Sequence, residues 1–168
     1  MDVTDQTLSG ERADLLAALR RHRGFLRQTV AGLDDERAAR RSTASELCLG
    51  GLVKHVATTE RGWMRFAVGG TEAMRSEPVD WAGQFRMVEG ETLTGLLAEF
   101  DRVAAATDEL VATLDLDVSH PLPDDPWFPP GAVWTVRRVL LHLIAEISQH
   151  AGHADILRES IDGAKTMG

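Results

Sequence analysis

The chain has 168 residues, enough for one domain with a core that needs no metal or disulfide staple. Lys+Arg 18 against Asp+Glu 26 gives a formal charge of -8, opposite in sign to a whole-domain nucleic-acid binder. One cysteine, Cys48, excludes an intramolecular disulfide and a cysteine-based zinc finger. No apolar run reaches the ~18 residues of a membrane span, and the opening MDVTDQTLSG has neither the charged nor the apolar region of a signal peptide. The expectation is a single cytoplasmic domain over residues 1–168 with no membrane partner.

Four long segments repeat their apolar residues with helical period, and none alternates as a strand does. The first spans residues 10–30, where Leu15, Leu16, Leu19, Leu26 and Val30 form a stripe and Gly32 is a stop signal. Arg20, Arg21, Arg23 and Arg27 fill its other faces, and in an acidic chain they read as a solvated surface. Residues 33–44 leave room for a short helical turn. The second helix runs from about Ser45 or Leu47 to Val68, where Gly69 and Gly70 end it. About twenty residues, containing Pro78 and Trp81, then permit a crossover along the length of a bundle. The third helix covers residues 91–114, with Leu93, Leu96, Leu97, Phe100, Val103, Leu110 and Leu114 on its buried stripe. Five prolines around Trp127 and Phe128 stiffen the next connection, and the aromatic pair either covers a pocket mouth or packs on the bundle end. The fourth helix begins after Trp134, with Thr135 as its cap, and ends near Ile161 before Asp162 and Gly163. The fold class is all-α, a mostly antiparallel four-helix bundle with a long crossover connection.

The densest chemistry lies on the fourth helix. At about 100° per residue, His142, Glu146, His150 and His153 fall within roughly 80° of arc, together with Val139, Leu143, Leu157 and Ile161. A carboxylate on that buried face needs a cation, a charged partner or a proton. His142 and His150 are separated by ~12 Å along the axis, so they cannot share one ion. An adjacent pair on this helix needs a third ligand from a facing helix. His55 on the second helix, in line with Cys48, Leu52, Thr59 and Phe66, is the candidate, and Gly51 and Gly62 beside it admit a backbone or a ligand. Trp63, Met64 and Phe66 read as core or dimer contacts. Cys48 reads as a core thiol or a reactive one, with no base beside it in sequence.

The segments LGGLVKHVATTERGW around His55 and LHLIAEISQHAGHADILR around Glu146 and His150 resemble the DinB/YfiT-like metalloenzyme superfamily. The resemblance runs over the whole chain and is nearest to the branch related to mycothiol-dependent maleylpyruvate isomerase. It implies a four-helix bundle with a long crossover and a metal triad of His55, Glu146 and His150. Glu146, where many relatives have His, matches the isomerase branch. Where many relatives carry Arg-Gly-Gln after the last ligand, this chain has Ala151, Gly152 and His153, so no anion-binding arginine carries over.

Two imidazoles and a carboxylate suit zinc, nickel, iron or manganese, with open positions left on the ion. Such an ion lowers the pKa of a bound thiol. The resemblance thus implies a divalent metal and a low-molecular-weight thiol, acting on an electrophilic small molecule by transfer or isomerisation. Lysine occurs only at 54 and 165 beside abundant arginine, a high-GC bacterial composition that favours mycothiol as the thiol. A small metal-dependent hydrolase and a non-catalytic, stress-related metal-binding or dimerising protein stay open as alternatives. The expected assembly is a homodimer, through Leu and Ala surface on the first and third helices. No catalytic acid is visible.

Overall fold

The computed structural model describes residues 8–167; the expectation about a signal peptide falls mostly on residues 1–7, which lie outside them. The elements are α1 (Gly10–Thr29), α2 (Asp35–Ala39), α3 (Leu49–Met74), α4 (Leu93–Thr113), β1 (Ser119–Pro121), β2 (Val133–Thr135) and α5 (Val136–Asp162). The caps follow the sequence. Asp34, Thr92 and Thr135 each accept a hydrogen bond from the backbone N–H three residues on, at 2.8 to 3.1 Å. Gly163 closes α5 in the left-handed conformation, its N–H donating to Glu159 O.

The four long helices pack around one another in the order α1, α5, α3, α4. Their directions follow from which side chains meet. Glu11 pairs with Arg137, and Arg158 donates to Thr29 O, so α1 and α5 run parallel. Lys54 pairs with Glu91 and Arg61 with Glu99, so α3 and α4 also run parallel. Arg12 reaches Val111 O and Arg27 reaches Asp101, which makes α1 and α4 antiparallel. His55 meets Glu146 while Trp63 meets His142, so α3 and α5 are antiparallel. The bundle is therefore up–down–down–up. Half of its helix neighbours are parallel, where a mostly antiparallel set was expected, because residues 75–92 carry the chain back along the bundle.

Three further local expectations change. The second helix does not end at Val68; it bends at Gly70 (φ 71°, ψ -160°) and continues to Met74. Only glycine takes that conformation without strain. The bend leaves Ala67 O to accept a hydrogen bond from His120 Nε2 at 3.3 Å, while Thr71 Oγ1 donates to Pro121 O, so β1 is docked at the kink. β1 and β2 form a small antiparallel ribbon, with His120 opposite Trp134, which brackets the proline-rich loop. Arg23 is not solvated. It is buried, its guanidinium gripping both carboxylate oxygens of Glu60 on α3 and Asp108 Oδ1 on α4 at 2.7 Å. Glu60 is buried as well, so the pair is stable because each charge has a partner.

The core otherwise follows the apolar stripes. Leu19, Leu26, Leu49, Leu52, Phe66, Leu140, Leu143 and Ile147 are wholly enclosed. On α4 the buried positions are Leu93, Phe100, Val103, Thr107 and Val111, while Leu96, Leu97, Leu110 and Leu114 are half-buried. No helix among the described residues is long and apolar enough to cross a membrane.

Candidate metal centre

His55, Glu146 and His150 converge between α3 and α5, each presenting one ligand atom within 4.8 Å of the other two. The antiparallel pairing of these helices sets His55 opposite the turn that holds Glu146 and His150. Glu146 Oε1 lies 3.1 Å from His55 Nε2 and 3.2 Å from His150 Nε2. The hydrogen-bonding imidazoles of His150 and His55 hold the Glu146 carboxyl well below the usual carboxylate range, against the opposing effect of its burial.

The other ring nitrogens are occupied. Gln84 Nε2 donates to Trp81 O, which turns its Oε1 toward His55 Nδ1 at 3.2 Å. His55 Nδ1 is therefore the protonated nitrogen that donates to Gln84. Its Nε2 faces a carboxylate oxygen, an arrangement that a proton or a shared cation satisfies. His150 is held likewise, with its Nδ1 3.3 Å from His153 Nδ1. Two imidazoles with Nε2 turned inward, each steadied through Nδ1, are the donor arrangement of a divalent-metal site, so these residues fit such an ion.

Close packing sets the His55 ring. Phe85 stacks on it at 4.0 Å with planes 28° apart. Phe85 can come that near because Gly51 has no side chain: a Cβ there would lie 1.9 Å from Phe85 O. Cys48 is buried, with its Sγ 3.7 Å from the same carbonyl, in the core position that the sequence left as one of two readings.

His55 and Glu146 open onto a cavity of about 820 Å³. Thr59 lies beside them, its Oγ1 3.4 Å from His55 Nε2, and Gly62 leaves the next turn of α3 open. Trp63, Phe128 and His142 form the wall beyond. His142 does not join the triad; its ring packs against Trp63 and Trp134 at 4.9 and 5.2 Å, and burial lowers its pKa. His153 steadies His150 from behind. Trp127 and Phe128 both line the cavity, and Phe128 also packs edge-on against Trp63, so both sequence readings of that pair hold. His22 and His120 lie away from the cluster.

Gln84 and Phe85 were missed in the sequence. They sit in the connection between α3 and α4, where no helical period flags a buried face, and the nearby Trp81 is the one local hint.

The sequence model of the mycothiol-S-transferase family matches residues 14–163. Among solved structures, the crystal structure of a conserved protein from Enterococcus faecalis superposes with a TM-score of 0.66 at 17% identity, covering 98% of this chain and 99% of that one. That likeness is one of fold. A search of curated proteins finds no match.

Proposed function

The chain belongs to the mycothiol-S-transferase family, and from that premise we propose that it transfers mycothiol to an electrophilic small molecule at a divalent-metal site formed by His55, Glu146 and His150. The observation that carries this reading is the convergence of three ligand atoms at the edge of an open cavity. A divalent ion held there supplies a Lewis-acid centre that favours the ionised form of a thiol near neutral pH.

The protein's own residues prepare that centre. Glu146 contributes the one negative charge, so two neutral imidazoles and a carboxylate leave an ion with net positive charge. Gln84 and His153 fix the orientation of the two rings, and Phe85 blocks rotation of His55. Thr59, beside His55, offers a hydroxyl to an incoming ligand near the cluster, and Trp63, Phe128 and His142 form an aromatic wall beyond it. Zinc, nickel, iron and manganese all suit this donor set.

Metal analysis of the purified protein, followed by thiol-dependent consumption of an electrophile, tests the reading. One equivalent of divalent metal and turnover that requires both metal and mycothiol are expected. Ester or amide hydrolysis without thiol would replace it with the hydrolase alternative. A homodimer is also part of this reading, through Leu and Ala surface on the first and third long helices or through α5. No large apolar side chain of α1 or α4 is among the exposed ones, whereas Leu141 and Ile156 stand exposed on α5. Light scattering at micromolar concentration tests the pairing.

A further inference from the structure

All four tryptophans of the chain gather at one cavity. Trp63, Trp81 and Trp127 line it, and Trp134 stacks on Trp63 at 4.9 Å with planes 18° apart. Phe128 joins them, 6.1 Å from Trp63 and 6.0 Å from Trp134. Trp81 and Trp127 are 68% and 64% exposed, and they reach the cavity from different connections, one on each side of α4. Large rings left in water carry an unfavourable free energy roughly proportional to their area, which a ligand of matching shape would relieve.

The polar side chains lining the cavity are the uncharged Thr58, Thr59 and Gln84 and a charged set, beside the histidines and Glu146. Thr59 and Gln84 touch His55 and so belong to the metal end. The charged groups lining the cavity elsewhere are engaged in pairs, Arg75 with Asp125, and Glu77 with Arg61 and Arg65. A sugar ring would draw on such side chains for its hydroxyl groups, and these already hold one another. A flat apolar ring needs only the aromatic faces already presented.

We propose that the aromatic part of this cavity is the electrophile subsite, accepting a planar, uncharged aromatic or conjugated molecule with its reactive carbon toward His55 and Glu146. The chemistry rests on the transferase reading; the binding does not. With 1-chloro-2,4-dinitrobenzene as electrophile, the thiolate sulfur forms a bond to the ring carbon bearing chlorine. The carbon–chlorine bond breaks, its electron pair leaves on chloride, and the thiol proton passes to solvent.

Calorimetric titration with 1,3-dinitrobenzene, which is planar and has no chloride to lose, tests binding without turnover. The wild-type protein binds it, and Trp81→Ala and Trp127→Ala each weaken binding about five- to tenfold, the loss expected for one ring–ring contact. Trp127→Phe restores most of the affinity. Both tryptophans are largely exposed, so the alanine variants keep the core, which circular dichroism checks. No binding by the wild type, or equal binding by wild type and both alanine variants, overturns the proposal. In steady-state assays with mycothiol, the KM for the dinitrobenzene electrophile rises by a similar factor in both alanine variants. A rise confined to the KM for the thiol would assign the aromatic faces to the sugar of mycothiol and overturn the proposal. Absence of thiol-dependent turnover with any electrophile would defeat the transferase reading, and the titration would then decide the subsite alone.

Discussion

Gly51 and Phe85 meet so closely that a methyl group on Gly51 would sit 1.9 Å from the Phe85 carbonyl oxygen. This contact ties the crossover to α3 and lays the Phe85 ring on the candidate ligand His55. Backbone, unlike a flexible side-chain end, cannot swing aside.

Gly51→Ala should therefore destabilise the protein by about 1–3 kcal/mol despite the better helix propensity of alanine. It should also weaken metal binding, because Phe85 and Gln84 move together. Gly62→Ala is the matched control, since its Cβ would meet nothing within 4 Å. That change should stabilise by up to about 1 kcal/mol. Thermal melts of both variants check the contrast, and equal shifts would count against the close-contact account.

Histidine substitutions separate ligands from neighbours. His150→Ala and Glu146→Gln should abolish tight binding of zinc in a chelator competition, since two remaining ligands seldom hold such an ion. His142→Ala should leave affinity nearly unchanged, because that ring packs on Trp63 and Trp134 instead. His153→Ala should fall between, about 10- to 100-fold weaker, through loss of the group that orients His150. Equal loss in the His142 and His150 variants would show the ligands to be wrongly assigned.

Acid should weaken the metal-free protein in two stages. Burial lowers the pKa of His142, and the imidazoles of His150 and His55 lower that of Glu146. Each group binds its proton more weakly in the folded state than in the unfolded chain, so lowering the pH favours unfolding. The contribution of His142 is complete above pH ~6.5 and lost below it; that of Glu146 begins to fall below pH ~4.3. His142→Phe should flatten the upper stage and Glu146→Gln the lower. Urea midpoints measured from pH 8 to pH 3 read both, and unchanged profiles in the two variants would contradict the assignment.

The enclosed Arg23–Glu60 pair should be costly to break from one side. Glu60→Ala leaves Arg23 short of its main partner, with only Asp108 on Nη1. A loss of about 3–5 kcal/mol is expected. Replacing both residues with apolar ones of similar volume should recover most of that loss. Urea denaturation of the single and double variants decides it, and a mild effect of Glu60→Ala alone would mean that water reaches the pair.

Local rules account for much of what the sequence determined. Helical period located all four long helices, and capping chemistry placed the start of α5 at Thr135 and its end before Gly163. Spacing on one helix brought Glu146 and His150 onto the same face, and the inward stripe of α3 singled out His55. The DinB/YfiT-like superfamily likewise followed from the two motifs around these residues. Tertiary structure decided what depends on crossing segments. The parallel pairing of α3 with α4 comes from the course of residues 75–92, and that same connection delivers Gln84 and Phe85 to His55. The continuation of α3 past Gly70 depends on His120, fifty residues away, docking at the bend. Arg23 looked like a surface arginine because its partners, Glu60 and Asp108, lie on other helices. Periodicity reports which face of a helix is buried; it carries no information about which charge or ring from elsewhere in the chain will meet it there.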